Sequence, residues 1–128
     1  MSEANVSVVM GLLDAWTAGD CDAALASFDP GVEADLGQLP GGRQTQGRDE
    51  LREVVAQWRS ADQAGAVSVD KVFDAGDEVV VCLREAVTGE CGATTERSYA
   101  QVFGLRDGSV VFTRTFYELA LALEAVSA

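Results

Sequence analysis

At 128 residues and a formal net charge of −12, the chain is sized for one domain over 1–128, and its surface repels phosphate backbones and anionic lipid. No nucleic acid and no membrane partner is therefore expected, and the scattered acids read as a solubilising surface. The absence of histidine removes the usual nitrogen ligand of zinc and rules out Ser-His-Asp and Cys-His catalysis, so no metal or cofactor is expected.

The N-terminal MSEANVSVV has no basic residue ahead of its apolar ones and does not read as a secretory leader. No apolar run approaches the roughly 20 residues that span a bilayer. Cys21, Cys82 and Cys91 form no CxxC. An odd cysteine count without an export signal points to reduced thiols and a cytoplasmic location.

Val6, Val9, Met10, Leu13 and Trp16 recur at helical spacing and predict a helix over 5–18, stopped by Gly19. Asp20 or Asp22 caps a second, shorter helix that ends at Asp29-Pro30-Gly31. Residues 32–36 suit a short strand. The segment from Gly37 to Gly47 is glycine-rich and loop-like, but it lacks the spacing of a phosphate cradle. A third helix is predicted over 48–60, with Leu51, Val54, Val55 and Trp58 on its apolar stripe and Asp49 and Glu50 in its first turn. Val67, Val69, Lys71 and Phe73 alternate as a strand, and 78–87 reads as a largely buried one. Residues 119–126 suit a short C-terminal helix.

The stretch from Arg97 to Glu118 reads as a long hairpin turning at Asp107-Gly108. A two-residue turn would pair Leu105 with Val110. A three-residue loop with Gly108 left-handed would pair Leu105 with Ser109, and that register is the one expected. It places Tyr99, Gln101, Phe103 and Leu105 on one face with Val111, Thr113, Thr115 and Tyr117. Ala100, Val102, Val110, Phe112 and Phe116 fall on the other face. The elements together predict an α+β fold, a cone-shaped curved antiparallel sheet packed on three N-terminal helices. The apolar outer face then calls for a cover, for which a homodimer through the convex sheet face is expected. The alternative cover is the C-terminal segment from Leu119.

Four segments resemble the SnoaL-like branch of the nuclear transport factor 2-like superfamily: LLDAWTAGDCDAALASFDPGVEADL, GRDELREVVAQW, AGDEVVV and VFGLRDGSVVFTRTFYELALALEA. The resemblance implies a cone-shaped α+β barrel around a pocket, and frequent homodimers. That superfamily hosts polyketide cyclases, ketosteroid isomerases, epoxide hydrolases and binding modules without catalysis, so fold alone does not assign function. Where the isomerases carry a helix tyrosine, this chain has Leu12, and their base falls at or beside Ala34, next to Asp35. The hydrolases' Asp-Arg-Asp set corresponds here to Glu85, Leu83 and Thr115. The cyclases imply a carboxylate deep in the pocket, for which Asp35 and Glu85 are the candidates.

Glu85 sits in an otherwise apolar strand, where burial would raise its pKa and suit it to acid–base work; pairing with Arg97 or strand-end exposure is the alternative. Asp35, at a strand end, is the second candidate for proton transfer. Trp16 and Trp58 would form an apolar wall, Tyr99, Gln101 and Thr115 would orient carbonyl or hydroxyl groups of a small apolar ligand, and Thr113 would join them in ligand binding. A ligand-binding or dimerisation module without catalysis is the competing expectation.

Overall fold

The computed structural model describes residues 3–18, 20–36, 43–60, 67–88 and 94–127, and the side chains of Trp58 and Glu85 are not among those described. Helix α1 (Glu3–Thr17) buries Val9, Leu12 and Leu13. Asn5 Nδ2 ties its start to the carbonyl of Gly76 at 3.0 Å. Helix α2 (Cys21–Leu25) is capped by Asp20, whose carboxylate accepts from the Ala23 N–H. Helix α3 (Arg48–Ser60) begins where expected, and Glu50 in its first turn accepts the Gln46 N–H at 3.1 Å. Arg48 reaches the Phe28 carbonyl at 3.2 Å, fastening the helix start to the sheet.

Strands β1 (Phe28–Asp35), β2 (Gln44–Gln46), β3 (Val67–Asp74), β4 (Glu78–Thr88), β5 (Thr94–Arg106) and β6 (Ser109–Phe116) form one sheet in the order β2-β1-β6-β5-β4-β3. The α+β class holds, with a curved sheet. The sheet is mixed rather than antiparallel throughout, because β1 runs parallel to β6. Two local expectations change. Asp29-Pro30-Gly31 does not end the second helix but lies inside β1, as an irregularity where Asp29 accepts the Gly31 N–H at 2.8 Å. The glycine-rich segment contains β2, paired with β1 through Thr45 opposite Ala34.

The hairpin also differs from expectation. Leu105 pairs with Val110, and Asp107 and Gly108 both have positive φ, +54 and +80. This is a two-residue turn whose twist matches the strands. The expected loop of three residues is therefore corrected. A bulge between Gly104 and Leu105 then restores the partition, pairing Phe103 with Thr113 and Gln101 with Thr115. Val110 crosses to the interior face and Val111 takes the bulge, while Tyr99, Phe103, Leu105, Thr113 and Thr115 stay with Gln101; Tyr117 lies beyond β6 and is exposed.

The interior core joins Val9, Leu12 and Leu13 of α1 to Val54 of α3 and to Val32, Val79, Val81 and Phe103 of the sheet. A second cluster covers the outer face. Helix α4 (Leu119–Ser127) lays Ala122, fully buried, over Val80, Ala100 and Val102, with Phe112 and Phe116 partly buried beside them. The C-terminal segment thus folds back over β4 to β6. Phe112 lies across Gly104, where an added Cβ would fall 2.0 Å from the ring. Among the described residues no helix is long and apolar enough to cross a membrane.

Candidate functional site

Gln101, Thr113 and Thr115 are 6%, 3% and 3% exposed and share the interior face. Buried polar side chains need partners, and these supply one another. Thr113 Oγ1 donates to the Val102 carbonyl at 2.9 Å. Gln101 Nε2 donates to Thr113 Oγ1 at 2.5 Å, and Thr115 Oγ1 donates to Gln101 Oε1 at 2.6 Å. The result is an uncharged polar ladder in an apolar interior. Tyr99, two residues before Gln101, and Trp16 of α1 are partly buried against the same core. On this face of β5, Tyr99 is half-buried while Gln101, Phe103 and Leu105, nearer the hairpin turn, are buried.

Among the described residues Thr45 is the fourth buried polar one, and its Oγ1 has no hydrogen-bond partner among them. It stands in one row with Ala34 and Thr113, across β2, β1 and β6. Sequence reasoning missed it, because a lone polar-looking QTQ inside a glycine-rich segment carries no sign of burial.

Asp35 is not brought together with the ladder. Ala34 is buried in the interior core, and strand alternation sets Asp35 on the opposite face. There it lines a cleft of about 690 Å³ with Glu33, Gln44, Gln46, Phe112 and Arg114. Arg114 stacks over the Phe116 ring at 5.3 Å and makes no ion pair among the described residues. Glu85 has its backbone on β4 opposite Val67 and Arg97, two residues beyond Leu83. The proposed roles of its side chain and of the Trp58 ring lie outside the described residues. Cys82 is a free, half-buried thiol opposite Lys71, and burial pushes its pKa up despite the nearby ammonium. No cluster of metal-ligating side chains occurs among the described residues.

The structure is similar to that of TerC co-crystallized with polyporic acid, at 18% identity and a TM-score of 0.80, covering 98% of this chain and all (100%) of that one. An NTF2-like protein from Burkholderia thailandensis matches at 24% identity and a TM-score of 0.76, over 93% of this chain and 94% of that one. A candidate polyketide cyclase from Xanthomonas campestris pv. campestris matches at 19% identity and a TM-score of 0.69, over 97% of each chain. No curated protein matches the sequence. Identities this low speak to the fold alone. The sequence profile of the SnoaL-like domain matches residues 9–113, most of the chain, and the chain therefore belongs to the SnoaL-like domain family.

Proposed function

We propose that the chain binds a small, apolar, oxygenated molecule between α1 and the interior face of the sheet. The observation that carries this is the Gln101–Thr113–Thr115 ladder, uncharged and more than nine-tenths buried among apolar side chains. Apolar sites with a few fixed polar groups hold small molecules by shape and orient them by hydrogen bonds. Trp16 and Tyr99, partly buried against the same core, would meet the ligand from its more exposed side. Catalysis of the cyclase, isomerase or hydrolase type requires a proton-transfer group, and Glu85 is the carboxylate assigned to it. Asp35, on the outer face, suits that role less well.

The test is a thermal-shift panel of apolar ketones, epoxides and lactones, with polyporic acid, the compound co-crystallized with TerC, as its first member. A specific ligand raises Tm in proportion to log concentration above its Kd. Gln101→Leu should weaken binding and move the shift to higher ligand concentration, by roughly 2- to 12-fold. A panel in which no compound moves the wild type, or in which Gln101→Leu responds equally, overturns the interior site. If a hit is turned over, Glu85→Gln should keep binding and lose turnover. Turnover that survives removes Glu85 from the mechanism and favours a binding module.

The homodimer is part of the same proposal. Helix α4 covers β4 to β6, which leaves the cleft over β1 and β2 and the exposed Tyr117 and Leu121 for a second copy. Arg114, which makes no ion pair among the described residues, lies beside Glu33 and suits a two-fold contact in which each arginine meets an acid of the partner. A cytoplasmic location is proposed from the cysteines, to be checked by their redox state.

A further inference from the structure

The ladder has a direction. A backbone carbonyl only accepts, so the single proton of Thr113 Oγ1 goes to Val102. Thr113 must then accept from Gln101, which turns the amide nitrogen toward Thr113 and the amide oxygen toward Thr115. The proton of Thr115 is in turn committed to Gln101 Oε1. Two capacities are left over. A carboxamide has two N–H groups and Gln101 uses one; a hydroxyl has two lone pairs and Thr115 uses neither among the described residues. Both belong to residues buried more than nine-tenths, where an unmet donor is costly.

We infer that Thr113, held by the Val102 carbonyl, fixes the Gln101 amide so that the interior site offers one donor, Gln101 Nε2, beside one acceptor, Thr115 Oγ1. The matching ligand carries a carbonyl and a hydroxyl close together on an apolar skeleton, as a β-hydroxy ketone does. The carbonyl accepts from Gln101 and the hydroxyl donates to Thr115. Thr113 is a positioning residue and touches no ligand. This ligand class rests on the interior site proposed above.

Three probes separate the two interactions: the acetone–benzaldehyde aldol, which has both groups; benzylacetone, which lacks the hydroxyl; and phenylpropylcarbinol, which lacks the carbonyl. A net hydrogen bond of about 0.5–1.5 kcal/mol makes the aldol bind roughly 2- to 12-fold tighter than either. Gln101→Leu should erase the preference over phenylpropylcarbinol, and Thr115→Val the preference over benzylacetone. Thr113→Val should weaken both preferences, and Thr113→Ser should restore them. In the unliganded wild type, the Gln101 side-chain amide proton held by Thr113 should lie downfield of its usual carboxamide position, and the other should not. Thr113→Val should return that proton to its usual position.

If none of the three probes binds, the interior site itself fails and this inference with it. If all three bind equally, the site stands and the polarity is refuted. A Gln101 amide proton with no downfield shift in the wild type, or a wild-type preference unchanged in Thr113→Val, also refutes it.

Discussion

Thr45→Val is expected to make the protein more stable. Thr45 is 6% exposed and its hydroxyl has no partner among the described residues. Leaving such a group buried and unpaired costs about 1–3 kcal/mol, which a methyl in its place avoids. Threonine and valine are both β-branched, so strand preference changes little. Unfolding entropy of about 2.1 cal/mol/K per residue makes each kcal/mol worth about 4 °C in a chain of 128 residues. Calorimetry should therefore show Tm rising by about 4–11 °C. Thr113→Val is the internal control. It lies in the same row of the sheet, separated only by Ala34. Its hydroxyl both donates and accepts, so the same substitution there should lower Tm by a similar amount. A fall or no change for Thr45→Val, or a shift of the same sign at both sites, would refute the assignment of one orphaned and one satisfied hydroxyl.

Gly104→Ala should destabilise by about 1–3 kcal/mol, because the Phe112 ring must leave its place across the strand; denaturant melts check this, and an unchanged midpoint would mean that the ring moves freely. Gly108→Ala should cost about 1 kcal/mol, read the same way, because φ is +80 there. The raised Cys82 pKa means that the folded state keeps a proton the unfolded state has lost, so its contribution declines as pH rises above the ordinary thiol value of about 8.5. Alkylation of Cys82 should accordingly be slower at pH 8 than that of a free thiol; an equal rate would contradict the shift. Phe112→Asp should give a monomer or an insoluble chain in sedimentation, and a wild type that is monomeric at micromolar concentration ends the dimer proposal. Thiol titration under denaturing, non-reducing conditions should count all three cysteines, and a count of one means a disulfide and a different compartment.

Local pattern carried much of this fold. Helix α3 was legible to its start because its apolar stripe, first-turn acids and preceding glycine agree. Strands β3 to β6 were legible because alternation and tight turns recur. Nonlocal features were not legible. Nothing in residues 28–35 announces a parallel partner more than 70 residues away. Asp29-Pro30-Gly31 has real turn chemistry, which the strand absorbs as an irregularity. In the hairpin, an unseen bulge offset an incorrect turn length, so Thr113 and Thr115 still fell beside Gln101, while Val111 did not and the residue directly across from Gln101 differed. The polar ladder could be anticipated because polar atoms stood among aromatics on one face. The separation of Asp35 from it depends on one step of strand alternation at Ala34, which burial decides and sequence does not.

The central claim is that the ligand site is the interior face and not the outer cleft. Intermolecular NOEs from the tightest-binding panel compound test it most directly. The account predicts contacts to Tyr99, Gln101 and Thr115. Contacts to Gln44, Phe112 and Arg114 instead would place the ligand in the outer cleft and contradict it.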